Sequence, residues 1–134
     1  MRKVPVRVFT THLQYNSQQE RIAQIATVRE VIGSAQEPVV LVGDLNARPD
    51  TPEIDAITED LVDAWAEAGV GHGYTYSTES PHARLDYVLH SNDVTPRTAA
   101  VLSTDGSDHL PVIADLALLG DRVGAGTPVR STNG

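Results

Sequence analysis

Residues 38–50 read Pro38-Val39-Val40-Leu41-Val42-Gly43-Asp44-Leu45-Asn46-Ala47-Arg48-Pro49-Asp50, an apolar run that ends in a glycine and then two polar side chains at alternate positions. A short unbroken run of Val and Leu reads as a strand covered on both faces. Side chains alternate along a strand, so Asp44 and Asn46 are expected on one side and Leu45 on the other. Gly43 leaves room for a ligand or another backbone to come close.

Outward from this strand the chain mixes helices and strands. Val4 to Leu13 alternates Val4, Val6 and Val8 against Pro5, Arg7 and Phe9, a strand pattern. Ser17-Gln18-Gln19-Glu20 has the form of a capping box, and the helix it opens puts Ile22, Ile25, Val28 and Ile32 on one stripe up to Gly33. Thr51-Pro52-Glu53 opens a second helical segment, in two pieces, which Gly69 closes after Ala68. Tyr74–Tyr76, Leu85–Leu89, Thr98–Leu102 and Val112–Leu118 are further strand candidates. From Gly120 to Gly134 no periodicity remains, and a flexible tail is expected. The fold class is α+β, one mixed sheet with helices on one face, in a single domain over 1–119.

Composition narrows the function. The 134 residues include no cysteine, which excludes thiol catalysis and cysteine metal sites. A net charge of −8, with no basic run beyond Arg2-Lys3, argues against a non-specific nucleic-acid binder. A phosphate substrate stays open, because a bound cation can supply positive charge. No stretch has the length of a membrane span and the N-terminus lacks an apolar signal-peptide core, so a soluble chain without a signal peptide is expected.

Four polar clusters stand at strand ends. Asp44 and Asn46 suit a hard cation such as Mg²⁺, or the orientation of a water or phosphate oxygen, although an Asp/Asn turn explains them equally well. In Ser107-Asp108-His109-Leu110-Pro111 a carboxylate adjoins an imidazole, but neighbours on an extended chain diverge, so the contiguous Ser-Asp-His is no hydrolase triad. In Arg84-Leu85-Asp86-Tyr87-Val88-Leu89, Asp86 gains meaning if it meets an imidazole, whose tautomer it would fix. His12 closes the first strand in Thr10-Thr11-His12-Leu13; a polar residue ending a strand is the plain alternative.

In this order, T-H-L, G-D-L-N-A-R-P-D, R-L-D-Y-V-L and S-D-H-L-P-V resemble the endonuclease/exonuclease/phosphatase superfamily, from Val6 to Leu118. The resemblance implies Mg²⁺-dependent hydrolysis of a phosphate ester, with Mn²⁺ or Ca²⁺ as alternatives. It implies that His109, held by Asp86, lies beside the scissile phosphate and that Asp44 positions or deprotonates the attacking water. Asn46 would hydrogen-bond phosphoryl oxygens, and His12 would contact phosphate or protonate the leaving group. Asp44, Asn46 and Asp108 would form the metal site. Arg84, Tyr76 and His72, in or beside the loop from Gly69 to Ala83, are the candidates for holding the substrate.

The resemblance covers only the C-terminal half of that fold, a four-layer sandwich of two sheets between helices. An earlier half, with an Asn and the metal-binding Glu, has no counterpart here. Half a sandwich leaves an apolar sheet face in water. The expected partners are therefore a second copy or a complementing N-terminal half. The acidic balance favours a small-molecule or lipid-headgroup ester over long DNA. A catalytically inactive remnant, or a cation-binding module, is the alternative function.

Overall fold

The structure, a computed structural model, describes residues 3–119; the expected tail over 120–134 lies outside the described residues. The elements run β1 (Arg7–His12), α1 (Gln18–Gly33), β2 (Val39–Asp44), α2 (Pro52–Ile57), β3 (Val62–Asp63), α3 (Ala64–Ala68), β4 (Asp86–His90), β5 (Val94–Val101) and β6 (Val112–Leu118).

Local chemistry explains most of these bounds. Ser17 caps α1 by accepting the Glu20 N–H at 3.2 Å. Asp63 caps α3 by accepting the Trp65 N–H at 3.1 Å. Pro52 occupies the first turn of α2, where its missing N–H costs nothing. Of the expected α1 stripe, Ile25 and Ile32 are buried and Val28 is partly buried, but Ile22 lies 45% exposed.

The main sheet has the order β1-β2-β4-β3, with β1 parallel to β2 and β4 antiparallel to both β2 and β3. The parallel step requires a crossover, which α1 supplies. The sheet is mixed, as its elements imply. β5 and β6 pair separately as an antiparallel hairpin. β4 has β2 along one edge and β3 against its last two residues on the other.

Among the described residues one face of the sheet is covered and the other is largely open, apart from the end at His90. Val39, Leu41, Tyr87 and Leu89 are buried with Ile25, Ile32, Ile54 and Ile57 of the helices. The alternate residues Val40, Val42 and Val88 keep partial exposure, and Val8 is 64% exposed. The expectation that Val39–Val42 is covered on both faces is therefore corrected. Among the described residues a helix reaches its second face only at the end opposite Val40, where α3 covers His90 of β4. The strand's apolar run is therefore a two-faced pattern of which the second face is covered only in part. Gly43 has φ 148°, and a Cβ there would stand 1.9 Å from the Thr11 carbonyl oxygen. Its smallness serves the approach of β1 to β2, just before Asp44.

Candidate active site

Strand register builds the site. His12 of β1 lies opposite Asp44 of β2, and Asp44 lies opposite Asp86 of β4. Residues directly opposite one another point to the same side of a sheet, so one row of the open face carries an imidazole and two carboxylates. His109 joins this row from the loop before β6. Its backbone bridges Tyr76, and the Leu110 N–H donates to the Thr75 carbonyl at 2.7 Å.

The contacts converge on Asp44. Its Oδ2 lies 3.6 Å from His12 Nε2 and 3.6 Å from His109 Nε2. Its Oδ1 accepts the Asn46 N–H at 2.9 Å. His109 Nδ1 stands 2.7 Å from Asp86 Oδ2. An ionised carboxylate only accepts, so Nδ1 carries the proton and Nε2 faces Asp44 and the cleft. Ligand atoms of Asp44, Asp86 and His109 all lie within 4.8 Å of one another. They line an open cleft of about 500 Å³ with Val42, Val88 and Pro111.

Electrostatics follow from this crowding. Burial holds the Asp44 carboxyl above the usual carboxylate range, with the Asp86 charge adding to it; the Asn46 N–H and the two imidazoles oppose the shift. At His109 burial disfavours the imidazolium, but the Asp86 hydrogen bond and the charges of Asp86, Asp44 and Asp108 together outweigh it. The imidazole is held above its ordinary range.

The remaining sequence-selected residues divide. Asn46 adopts a left-handed φ of 48° and donates one amide hydrogen to the Leu13 carbonyl at 2.8 Å, tying the ends of β1 and β2 together. Tyr76 faces the site, its ring centroid 5.0 Å from that of His109 and 5.5 Å from that of His82. His72 stacks on Tyr74 at 4.7 Å, one loop turn away. Asp108 is exposed and outside the close carboxylate–imidazole group, whereas Asp86, which the sequence offered only as a partner for His109, lies inside it. Arg84 does not face the cleft. Its guanidinium makes a buried two-pronged pair with Asp63, at 3.1 and 2.8 Å, and lies 5.0 Å from the Tyr87 ring centroid. β4 begins at Asp86, so strand alternation does not extend back to Arg84.

Two residues passed over in the sequence hold the site in place. The buried Tyr87 hydroxyl donates to the Ala47 carbonyl at 2.7 Å, joining the segment after Asp44 to the segment of Asp86. Thr75 is fully buried, and its hydroxyl oxygen accepts the N–H groups of Leu85 and Asp86. Tyr87 could have been found as a lone aromatic on a strand's apolar face; Thr75 carries no local signal.

A divalent cation fits this donor set. Mg²⁺ characteristically takes one or two carboxylates and fills its remaining positions with water and phosphate oxygens. Asp44 and Asp86 supply two carboxylates on one open rim. The imidazole, held by Asp86, is the less suited donor to a hard ion.

The sequence model of the Endonuclease/Exonuclease/phosphatase family matches residues 2–109. Among solved structures, an endonuclease/exonuclease/phosphatase family protein from Bacteroides thetaiotaomicron is similar at 21% identity and TM-score 0.75, over 81% of this chain and 48% of its own. A mannosyl-6-phosphatase of the same organism is similar at 20% identity and TM-score 0.72, over 83% of this chain and 51% of its own. A D. rerio TDP2 humanized by 14 mutations is similar at 24% identity and TM-score 0.68, over 84% of this chain and 55% of its own. At these identities the likeness is one of fold, and this chain spans about half the length of those structures. Among curated proteins, none matches the sequence. Among the described residues no helix is long and apolar enough to cross a membrane.

Proposed function

We propose a function from one premise: the chain belongs to the endonuclease/exonuclease/phosphatase family. Its site hydrolyses a phosphate ester with the help of a divalent cation, Mg²⁺ first. The observation that carries this reading is the line from Asp86 through His109 to Asp44, with contacts of 2.7 and 3.6 Å on one cleft.

Asp86 fixes the His109 ring and favours its charged form, so Nε2–H points at the place where a phosphoryl oxygen gains charge. Asp44, with its raised affinity for a proton, takes one from a water attacking the phosphorus in line. His12, 73% exposed beside the same carboxylate, is free to donate to the leaving oxygen. Asn46 retains one amide hydrogen for the phosphoryl group. Asp44 and Asp86 would hold the cation, with Asp108 beside them, and the ion supplies charge neutralisation to the phosphoryl oxygens.

The acidic chain favours a small-molecule or lipid-headgroup ester over long DNA. Tyr76 and His72 are the substrate contacts in this reading; Arg84, committed to Asp63, is not. The open face with Val8 and Val40 is covered in the active form by a second copy or by a complementing N-terminal half. Light scattering at micromolar concentration checks the second copy; a well-folded monomer that is active alone sinks both.

The function is tested by Mg²⁺- or Mn²⁺-dependent hydrolysis of bis(p-nitrophenyl) phosphate, p-nitrophenyl phosphate and plasmid DNA, with His109→Ala as control. Turnover lost in the variant supports the enzyme. Cation binding without turnover, with and without a supplied N-terminal half, supports a binding module instead.

A further inference from the structure

The Asp86–His109 couple joins two segments that are distant in sequence and lie on different elements: the start of β4 and the loop before β6. A 2.7 Å hydrogen bond between them requires that both backbones be held at once. The Tyr76 bridge and Thr78 also hold the His109 loop, and β2 pairing holds Asp86, but one residue is bonded to both segments. The Thr75 hydroxyl oxygen accepts the Leu85 N–H at 3.1 Å and the Asp86 N–H at 3.2 Å. The Thr75 carbonyl accepts the Leu110 N–H at 2.7 Å, next to His109. The Thr75 N–H donates to the Ala83 carbonyl at 2.9 Å, which fixes Thr75 itself against the chain leading into β4.

We infer that Thr75 is a positioning residue of this site, its side chain setting Asp86 and its backbone carbonyl holding the segment of His109, so that it tunes the imidazole–carboxylate alignment without touching substrate. The hydroxyl matters for a stated reason. Asp86 opens β4, and the N–H groups of Leu85 and Asp86 both find an acceptor in the Thr75 side chain. With an apolar side chain of the same shape, those two donors face a fully buried wall and must turn elsewhere, carrying the Asp86 carboxylate with them. Serine keeps the acceptor and loses only a methyl group. The inference rests on the hydrolytic reading for its kinetic arm alone; its spectroscopic arm stands without any turnover.

The experiment uses ¹⁵N-labelled protein. In Thr75→Val the Asp86 and Leu85 amides are expected to exchange with solvent roughly tenfold faster or more, as for a donor left unpaired. The hydrogen-bonded Nδ1–H signal of His109 is expected to be lost to exchange, while amides of the α1 core around Ile25 keep wild-type rates. Thr75→Ser retains the Nδ1–H signal and wild-type exchange at Asp86. Where phosphodiester turnover is present, kcat in the Val variant falls roughly 10- to 100-fold with KM unchanged, and Ser restores it. A Val variant that keeps the Nδ1–H signal overturns the inference. So does faster exchange spread evenly over α1, which marks a merely structural role. If the Val variant does not fold, the Ser variant decides: loss of its Nδ1–H signal overturns the inference, and retention supports it.

Discussion

β4 carries one member of an imidazole–carboxylate pair at each end, and the two pairs differ. At its start, Asp86 holds His109 at 2.7 Å in an open cleft, with Asp44 3.6 Å from the other ring nitrogen. At its end, His90 is 1% exposed, with Glu67 2.9 Å from Nε2 and the Ser91 carbonyl 2.8 Å from Nδ1. Both ring nitrogens of His90 are spent on the protein, and its face lies in the packing beneath α3. His109 keeps Nε2 toward a second carboxylate and solvent. A hydrogen-bonded histidine–acid pair is therefore no mark of a site in itself. The distinction lies in whether one ring nitrogen is left pointing at space a substrate can occupy.

That comparison breaks first under alanine replacement of the two histidines. His109→Ala is expected to lower phosphodiester turnover by about 10²- to 10⁴-fold, the range for a lost acid–base group, with little change in the urea midpoint. A fall of less than fivefold in the active form would erase the contrast. Next in size is Arg84→Ala. It leaves Asp63 buried without its cation, which costs about 3–5 kcal/mol in urea unfolding, and turnover per folded molecule stays within about twofold. A raised KM at unchanged stability would return Arg84 to the substrate. His90→Ala removes a fully buried ring and costs about 2–3 kcal/mol, again without loss of turnover per folded molecule.

The smallest effect is in pH dependence, and its sign separates His109 from the Glu53–Arg21 pair. The folded value of His109 lies above its ordinary 6.5, so its contribution to stability is complete below that pH and is lost as pH rises through the folded value. Asp44 is also raised above its ordinary 3.8, so it too disfavours folding as pH rises, in a lower window. Glu53, paired with Arg21 at 2.8 Å, is lowered from 4.5, so its contribution is present above that value and is lost in acid. Stability is thus expected to decline from pH 6.5 into mild alkali, and His109→Gln should flatten that decline. Urea unfolding at steps between pH 5 and 9 checks it; an unchanged slope in the variant counts against a raised His109.

Much of this was legible along the chain. Ser17 announces a helix start because a cap is an interaction within three residues. Val39–Val42 announces a strand because a short run of branched apolar residues is a local signal. Asp44, Asp86, His109 and His12 stood out because a polar group at the end of an apolar strand is visible in one dimension. The residues whose surroundings the sequence did not show are equally instructive. Arg84 looked available because its partner, Asp63, is twenty-one residues away and on another strand. Asp108 adjoins His109 in the sequence yet is exposed and outside the close carboxylate–imidazole group, because adjacency on an extended chain sends side chains apart.

The sequence by itself determined the order of elements, the placing of ionisable groups at strand ends and the family, since these depend on short-range pattern. Tertiary structure alone decided the register that sets His12, Asp44 and Asp86 in one row, the burial of Arg84 against Asp63, the covered and open faces of the sheet, and the part played by Thr75. Those are nonlocal outcomes: a shift of one residue in strand pairing would turn every one of these side chains to the opposite face, and no neighbouring residue records which register wins.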